Sequence, residues 1–339
     1  MDLFEDYIVV AAQSIESEPF VGLSGYSRVF APGHLTLGFI LPLEGYPDGP
    51  APTMKNHAAV TRLADELGFG ALWARDVPTY DPQFGDVGQI FDPFTYLGFL
   101  AANTKEIALG TGSAVMTLRH PLLLAKQAAS IDRLSNGRML LGVASGDRAV
   151  EYPAFGVEND FESRGERFRE AFRMFRTATE DDFPVGRFPR FGELSGRVDT
   201  IPKPIAGKIP TFVTGRSRQD VEWIATHSDG WFFYNVGLER VGMITQTWGN
   251  AVRRTNGEGA FKPFFEGLFL ELEEDADFPL TPIPAGIRVG RHGLIDYLDA
   301  LQKAAVNHVA FNPKPSRRPF TDILHELAEY VLPGFPSLT

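Results

Sequence analysis

Three side chains near the ends of predicted elements could transfer protons or bind an anion. Arg75 and Asp76 follow an apolar run at 70–74, and His120 precedes Pro121 at the start of a predicted helix. Carboxylates and imidazoles exchange protons with substrates, and guanidinium groups bind anions. Two plainer interpretations stay open: Arg75 and Asp76 form a solvated ion pair with each other, and a lone histidine before a helix is more often structural than catalytic. We retain all three as candidate catalytic residues.

A glycine-arginine-serine turn marks a candidate anion-binding site. Gly215, Arg216 and Ser217 separate a predicted strand at 209–214 from a predicted helix at 218–226. Free backbone N–H groups and the dipole at a helix N-terminus attract anions, and the arginine adds a full positive charge. An ordinary strand-to-helix turn with a serine cap would have the same sequence. The motif by itself does not decide between a phosphate site and a turn.

Two predicted strands end in residues too small to fill the space around them. The strands at 107–112 and 139–144 run into Gly112-Ser113-Ala114 and Ser145-Gly146, respectively. A glycine in such a position often lets the backbone approach a ligand or marks a bulge. The pattern predicts that a large, flat ligand lies against these strand ends, although tight packing between strand and helix would also favour small residues.

The chain lacks the patterns that bind metals or support hydrolysis. It contains no cysteine, which excludes disulfides, thiolate nucleophiles and cysteine-bound metals. No HxH or HExxH motif occurs, so we expect no metal site. The predicted strand ends offer only the separate acids Asp76 and Glu271, with Asp147 and Glu151 just beyond another strand. A cofactor-free hydrolase or aldolase is therefore the least favoured class of enzyme.

Composition and charge favour an acidic, soluble protein. The 339 residues are 44% apolar and 22% charged, with a formal net charge of -11. An acidic surface repels phosphates, so we expect no nucleic-acid partner. The N-terminus lacks the basic region of a secretory signal, and no apolar stretch approaches the ~18 residues that a membrane span needs. We therefore expect a cytoplasmic protein with no membrane partner.

Apolar runs and helical periodicity alternate along the chain. The sequence predicts eight strands, at 35–41, 70–74, 107–112, 139–144, 209–214, 229–234, 264–272 and 308–312. Helices are predicted between them, including one at 56–67 that we expect Thr53 to cap. Eight evenly spread strands, with no GxGxxG after the first, favour a (β/α)8 TIM barrel with insertions over an open, doubly wound sheet. In a barrel, the candidate residues would meet at the carboxyl ends of the strands.

We divide the chain into three parts. Residues 1–34 form an N-terminal arm that ends in a strong turn signal, residues 35–332 form a single barrel domain, and 333–339 form a C-terminal tail. A segment at about 183–208 is rich in glycine and proline and shows little periodicity. We interpret it as an insertion over one end of the barrel, with room for two short strands.

Several motifs, taken in order, resemble the bacterial luciferase-like family of flavin-dependent monooxygenases. They are GTGSAVMTLRHP at 110–121, LSNGRMLLGVASG at 134–146, EYPAFG at 151–156, PKPIAGKIPTFVTGRS at 202–217 and DGW at 229–231. Each piece alone is weak, whereas the combination at these spacings is specific. The resemblance extends from about residue 35 to residue 330. It implies a (β/α)8 barrel, a homodimer, and a reduced flavin that lies across the strand ends.

The resemblance also implies roles for individual residues. Gly112-Ser113 matches a non-prolyl cis peptide bond that forms a bulge behind the flavin ring. The other residues that we expect to contact the cofactor are Phe39, Thr111, Ser145, Gly146, Glu151, Tyr152, Gly215, Arg216 and Ser217, the last three at its phosphate. One motif departs from the family, because many members place a histidine where Val77 follows Asp76 here. If that histidine serves as an acid or base, then Arg75, Asp76 or His120 must replace it.

The predicted function is that of a flavin-dependent oxidoreductase, in the form of a two-component monooxygenase. Reduced flavin mononucleotide (FMN) would come from a separate flavin reductase and, with O2, would oxygenate a small organic substrate beneath the 183–208 insertion. Two alternatives stay open. One is an oxidoreductase that transfers hydride with the deazaflavin F420, and the other is a flavin-binding protein without turnover.

Overall fold

Parallel strands close into a barrel in the computed structural model, which describes Phe20 and residues 22–338. The strands are β1 Thr36–Ile40, β2 Ala71–Ala74, β3 Ala108–Val115, β4 Met139–Ala144, β5 Val185–Phe188, β6 Gly192–Ser195, β7 Thr211–Thr214, β8 Trp231–Tyr234, β9 Phe264–Leu272, β10 Thr281–Ile283, β11 Gly286–Val289 and β12 His308–Asn312. Eight of them run parallel in the order β1, β2, β3, β4, β7, β8, β9 and β12, and β12 pairs again with β1. This closed barrel confirms the predicted fold class and excludes the open sheet.

Helices connect the strands and surround the barrel. They are α1 Ser24–Val29, α2 His57–Glu66, α3 Pro93–Asn103, α4 Pro121–Leu134, α5 Glu151–Ala154, α6 Arg164–Glu180, α7 Val221–His227, α8 Leu238–Asn256, α9 Arg291–Lys303 and α10 Phe320–Glu326. Pro93 and Pro121 lie in the first turns of their helices, where a missing N–H leaves no hydrogen bond unmade. Asp92 caps α3, because its carboxylate accepts the backbone N–H groups of residues 94 and 95.

The predicted cap of α2 is wrong. Asn56, with a φ of 56°, occupies the cap position and its side chain makes no cap hydrogen bond. Thr53 donates its backbone N–H and its hydroxyl to the carboxylate of Glu44. The Thr53 hydroxyl oxygen accepts the backbone N–H of Lys55, which lies before the helix, so it stabilises the preceding turn and not the helix end.

A strand pair forms where the sequence predicts only a Pro-rich loop at 278–286. There β10 runs antiparallel to β11, and β11 pairs in parallel with the end of β9. The pairing occurs because β9 is longer than its neighbour β8, which pairs only with residues 264–267 and leaves 269–272 for β11. An unpaired strand end would otherwise expose its backbone hydrogen-bonding groups.

Aromatic rings fill the barrel interior beneath the strand ends. Trp73 and Phe265 pack with their ring centres 5.2 Å apart, and His308 lies buried beside them. Trp73 Nε1 donates to His308 Nε2 at 3.0 Å, while His308 Nδ1 lies 2.8 Å from the Thr36 hydroxyl, which itself donates to the carbonyl of Val29. Both ring nitrogens are therefore used by a neutral imidazole, and burial lowers the pKa of His308 to about 3. This part of the barrel is packed core.

The described part of the N-terminal arm packs against the same interior. Phe30 lies 5.2 Å from the ring centre of Phe212 and 5.1 Å from that of Phe265. A Cβ on Gly25 would lie 2.7 Å from the carbonyl oxygen of Arg138, so a glycine is needed for α1 to approach the barrel. The rest of the predicted arm, residues 1–19 and 21, lies outside the described residues.

The 183–208 segment contains the two predicted short strands. They form the antiparallel hairpin β5–β6, in which Phe188 and Leu194 are buried against Met174 of α6. The hairpin is therefore anchored to the helical layer rather than to the barrel interior.

Candidate functional site

A cavity of about 340 Å³ opens at the carboxyl ends of β2, β3, β4, β7 and β8. Five arginines and three acids line it, namely Arg75, Arg148, Arg164, Arg216, Arg218, Asp76, Asp147 and Glu151. Nine residues of the predicted site line the cavity: Arg75, Asp76, Gly112, Ser113, Ser145, Gly146, Glu151, Arg216 and Ser217. Barrel topology brings them together, because parallel strands all end on one face.

The floor of the cavity is a bulge in β3. The Gly112–Ser113 peptide bond is cis, and the pairing of β3 with β4 shifts between residues 111 and 114. A Cβ on Gly112 would lie 3.0 Å from a ring carbon of Phe232, and a Cβ on Gly146 would lie 2.9 Å from Cγ1 of Val115. The packed core below the floor therefore leaves no room for side chains at these two glycines.

Two predicted cofactor contacts face away from the cavity. Phe39 is fully buried and packs against Phe69 at 4.7 Å and against Phe320 at 5.5 Å, on the helical side of β1. Thr111 is also fully buried, and its hydroxyl donates to the carbonyl of Gly142 at 2.7 Å. Both assignments need correction, because neighbouring residues in a strand alternate between its two faces and these two point outward or across to β4.

The predicted phosphate turn lies at the opposite end of the cavity. Gly215, Ser217 and Arg218 adopt positive φ values of 56°, 45° and 61°. The Ser217 hydroxyl donates to the carbonyl of Thr214 at 3.0 Å and accepts the backbone N–H of Ser145 at 3.3 Å. The turn is thereby fixed to the end of β4. Gly215 does not line the cavity. A Cβ added at this position would lie 3.0 Å from the ring of Tyr234, which does line it.

Three arginines at this end have no carboxylate partner among residues 22–338. The side chains of Arg216 and Arg218 are exposed and make no ion pair or hydrogen bond with another described residue. Arg164 is mostly buried. It donates to the backbone carbonyl of Phe161 at 2.6 Å, and its guanidinium carbon lies 4.0 Å from the centre of the Phe161 ring. Guanidinium groups stay protonated in proteins, so this end of the cavity carries positive charge that is not neutralised locally.

Sequence reasoning identified one arginine of the three. Arg164 lies at the start of α6, far along the chain from the turn, and no motif marks it. Arg218 falls where the sequence predicts the start of a helix, whereas α7 begins only at Val221. The spatial cluster exists because the ends of β7 and α6 lie side by side, which the sequence does not reveal.

Glu151 and Tyr152 support the cavity in different ways. Glu151 is 2% exposed, accepts the Thr79 hydroxyl at 3.0 Å and pairs with Arg148 at 2.5 Å. Burial raises the pKa of Glu151 above its ordinary value. Tyr152 is fully buried and does not line the cavity, and its hydroxyl donates to the carbonyl of Ser145 at 2.7 Å. It therefore acts through Ser145.

Arg75 and Asp76 do not pair with each other, so the solvated ion pair considered above is wrong. Arg75 pairs with Asp86 at 2.6 Å, and Asp76 pairs with Arg119 at 2.8 Å. The Asp76 side chain is only 1% exposed. Both candidates lie at the cavity, but each is already held by another charged residue.

His120 lies outside this cavity. Its Nδ1 accepts the backbone N–H of Leu122 at 3.3 Å and caps α4, while its Nε2 lies 3.0 Å from the carbonyl of Phe191. It lines a neighbouring cavity of about 440 Å³, which shares only Asp76 and Val77 with the first. The structure therefore separates His120 from the other two candidate catalytic residues.

The 183–208 insertion is not part of the lining of the strand-end cavity among the described residues. Its hairpin packs on α6 and contacts His120 of the neighbouring cavity through Phe191, and the expectation that the insertion covers the substrate stays a prediction. In the described part of the chain, no cluster of three histidine, aspartate or glutamate residues could hold a metal ion. No helix within that part is long and apolar enough to cross a membrane.

The closed barrel and its strand-end cavity define a (β/α)8 protein with a cavity at the carboxyl face of the barrel, where proteins of this fold bind their ligands. The chain belongs to the luciferase-like monooxygenase family, whose model matches residues 35–263. Monooxygenases, the class for which this family is named, are oxidoreductases.

Curated relatives are similar over part of the chain. The alkanal monooxygenase beta chain of Photorhabdus luminescens is 29% identical over 168 residues, 49% of each chain. The oxygenase component of a flavin-dependent trigonelline monooxygenase from Acinetobacter baylyi is 30% identical over 144 residues, 42% of this chain and 39% of the relative. The chain thus spans about half the length of these relatives or less. An F420-dependent secondary alcohol dehydrogenase, solved with an F420-acetone adduct, shares the fold with a TM-score of 0.73 at 15% identity, over 90% of this chain and 100% of that one.

Proposed function

We propose that this protein is the oxygenase of a two-component monooxygenase that uses reduced FMN and O2 to oxygenate a small organic substrate. The observation that carries the proposal is the composition of the strand-end cavity, in which a floor of small residues lies beside three arginines without carboxylate partners. A flat ring fits against a floor without side chains, and a phosphate binds guanidinium groups and free N–H groups. The flavin-dependent relatives support the choice of cofactor.

The residues present fit FMN at both of its ends. Gly112, Ser113 and Gly146 offer backbone for the ring, because no side chain can be accommodated at the two glycines. The turn at Arg216 and Ser217 offers a guanidinium and a backbone with positive φ for the phosphate. When bound, the reduced flavin supplies two electrons, so that one atom of O2 enters the product and the other leaves as water.

Within this proposal each side of the cavity has its own task. Arg164, Arg216 and Arg218 line one end of the cavity and would neutralise the phosphate, and Glu151 would contact the ribityl chain. Arg75 lies on the opposite rim, where it faces the substrate. The protein contributes binding, orientation and shielding from water, and the cofactor contributes the reactivity.

A hydride-transfer enzyme that uses F420 is the second candidate. Three unpaired arginines provide more positive charge than one phosphate monoester requires, and F420 carries further anionic groups beyond its phosphate. The fold similarity to an F420-dependent dehydrogenase is compatible with this alternative.

Titration of the purified protein with each cofactor separates the two candidates. We expect FMN to bind with a quench of its fluorescence and F420 to bind more weakly. Tight F420 binding without FMN binding would overturn the proposal. A flavin reductase, reduced FMN and ¹⁸O2 are then supplied with a panel of organic substrates, and one ¹⁸O atom is expected in the product. FMN binding without product from any substrate would leave a flavin-binding protein.

We further propose a separate flavin reductase as the source of reduced FMN and a cytoplasmic location. The relative from Acinetobacter baylyi is named as an oxygenase component, which supports a division of labour between two proteins. The division of the chain into an arm at 1–34, a barrel at 35–332 and a tail at 333–339 stays a prediction.

We also propose that the protein is a homodimer whose interface includes α3 and α4. Large apolar side chains are exposed on this side of the barrel: Phe91 is 42%, Phe99 44% and Leu123 64% exposed. Contiguous exposed apolar surface of this kind typically marks a protein interface. Sedimentation of the wild-type protein is expected to give a dimer and Leu123→Asp a monomer, whereas a wild-type monomer would contradict the proposal.

A further inference from the structure

Asp76 lies at the cavity, where an acid or base would be placed, but its carboxylate already accepts three hydrogen bonds. Oδ1 accepts Nη2 of Arg119 at 2.8 Å, and Oδ2 accepts Nε of Arg119 at 3.0 Å. Oδ2 also accepts the backbone N–H of Val115 at 2.9 Å. With only 1% of the side chain exposed, the carboxylate is enclosed by these three donors.

The hydrogen bonds of Arg119 continue away from the cavity. Its Nη2 also donates to Oδ2 of Asp92 at 3.0 Å, and Oδ1 of Asp92 caps α3. The guanidinium lies 5.3 Å from the centre of the Phe94 ring on the same helix. Arg119 directly precedes the residue that caps α4. The Asp76–Arg119–Asp92 cluster therefore connects the end of β2 to the starts of two helices.

The bond to Val115 is the connection between this cluster and the floor of the cavity. Val115 is the last residue of β3 and follows the bulge at Gly112 and Ser113 by two positions. Its Cγ1 lies close enough to Gly146 that a Cβ there would approach it to 2.9 Å. Val115 therefore touches both halves of the floor, and its backbone is held by Asp76.

We propose that Asp76 is a positioning residue that fixes the floor of the cofactor cavity through Val115, and that it does not exchange protons with the substrate. The identity of the ligand on that floor rests on the proposed function, whereas the hydrogen bond from the Val115 N–H to Asp76 does not depend on any ligand. Both carboxylate oxygens of Asp76 are already used as acceptors, by the Arg119 guanidinium and by the Val115 N–H, so the carboxylate holds neighbouring groups in place.

Amide hydrogen exchange on the ligand-free protein tests the hold on the floor. Asp76→Asn keeps the size of the side chain but loses the charge that binds Arg119, and we expect the peptide covering 112–118 to exchange at least fivefold faster. Arg119→Lys, which loses the two-pronged contact and keeps the charge, is expected to act in the same direction and tests the proposal if Asp76→Asn fails to fold. Asp147→Asn, which neutralises another carboxylate that lines the same cavity, is the control. Unchanged hydrogen exchange of the 112–118 peptide in both Asp76→Asn and Arg119→Lys would overturn the proposal.

The absorption spectrum of oxidised FMN on titration tests the effect on the ligand. Asp76→Asn is expected to change the difference spectrum of the bound ring, because the floor moves. Arg216→Ala is expected to weaken binding and keep the spectrum. If wild-type protein binds no FMN, the proposed function fails while the exchange result on Val115 still decides this inference. An unchanged spectrum and unchanged exchange in Asp76→Asn, with loss of one limb of the pH–rate profile, would make Asp76 a catalytic acid or base.

Discussion

Charged residues are paired on one rim of the cavity and have no carboxylate partner on the other. On the rim formed by β2 and β3, Arg75 and Asp76 are held in ion pairs of 2.6 and 2.8 Å. On the rim formed by β7 and α6, Arg164, Arg216 and Arg218 have no carboxylate partner among residues 22–338. The difference indicates that charges on the first rim hold backbone in place, and that charges on the second rim are available to a ligand.

Solvent exposure accounts for the arrangement of Asp76, Arg216 and Arg218, whereas the mostly buried Arg164 is stabilised by the carbonyl and the ring of Phe161. The Asp76 carboxylate is 1% exposed, and an isolated buried charge would be strongly destabilising, so it requires Arg119. Arg216 and Arg218 are exposed and keep their hydration without a partner. An exposed cation can later exchange water for an anion at little cost, because its charge is not already compensated.

Glu266 is a third case, a buried acid with neither a cation nor solvent. It is 0% exposed; Oε1 accepts Nδ2 of Asn235 at 2.8 Å, and Oε2 has no partner among the described residues. Burial raises the pKa of Glu266 to about 7. Burial without a nearby cation therefore disfavours the charged form of this acid.

Removal of Arg119 is expected to have the largest effect. Arg119→Leu leaves the buried Asp76 carboxylate without its cation, and we expect the free energy of unfolding to fall by about 3–5 kcal/mol. Urea denaturation measures the change. Arg317→Leu is the control, because its pair with Asp48 is 65% and 79% exposed and is expected to contribute at most about 1 kcal/mol. Equal losses in the two variants would remove the distinction between a buried and an exposed pair.

Glu266 predicts a pH dependence of stability. Its pKa is near 4.5 when unfolded and about 7 when folded, so the folded state binds more protons between these values. Stability is therefore fully present below about pH 4.5 and falls as the pH rises to about 7, by roughly 2–4 kcal/mol. Glu266→Gln is expected to abolish this fall in urea titrations at pH 5 and pH 8. The exposed Glu258→Gln is the control, and a fall that persists in Glu266→Gln would contradict the assignment.

Removal of Arg216 tests the ligand-binding rim. Arg216→Ala is expected to weaken FMN binding by roughly 1.5–3 kcal/mol, because a charge-assisted hydrogen bond to the phosphate is lost. Stability is expected to stay unchanged, since the side chain has no partner among the described residues. Fluorescence titration and urea denaturation measure the two effects. Arg240→Ala, on the exposed face of α8, is the control, and unchanged FMN affinity in Arg216→Ala would remove the phosphate assignment.

Salt is expected to have the smallest effect and to act on one rim only. Raising the ionic strength from ~0.02 M to ~0.2 M screens exposed charges, so we expect FMN affinity to fall several-fold. The double variant Arg216→Ala/Arg218→Ala is expected to show a shallower dependence. The stability lost in Arg119→Leu is expected to be the same at both salt concentrations, because that pair is buried. Equal salt dependence of both quantities would show that the two rims do not differ.

Local patterns in the sequence predicted much of the fold. The strands at 139–144, 264–272 and 308–312 match the structure, because buried parallel strands are continuous apolar runs. Asp92 before Pro93 is a local signal of the same kind for the start of α3, since capping depends on neighbouring residues alone. The cap at Thr53 failed because Asn56 adopts a left-handed conformation and the helix begins only at His57, beyond the reach of the Thr53 hydroxyl, which accepts the N–H of Lys55.

Part of the site could also be predicted, and the rest could not for a definite reason. The small residues at 112–113 and 145–146 and the turn at 215–217 are contiguous motifs, and the structure brings them together at one face of the barrel. Phe39 was misplaced because an apolar run does not reveal which residues face inward. Arg164 was missed because its position depends on how α6 packs beside β7.

The sequence alone determined the class of fold, the strand-end motifs and the absence of cysteine chemistry, since each depends on residue type and short-range spacing. Only the tertiary structure decided which charges are paired. Arg75 and Asp76 are adjacent in sequence and bind different partners, and Arg164 and Arg216 are distant in sequence and share a cavity. Electrostatic interactions depend on distance and burial in space, and both are set by packing between elements.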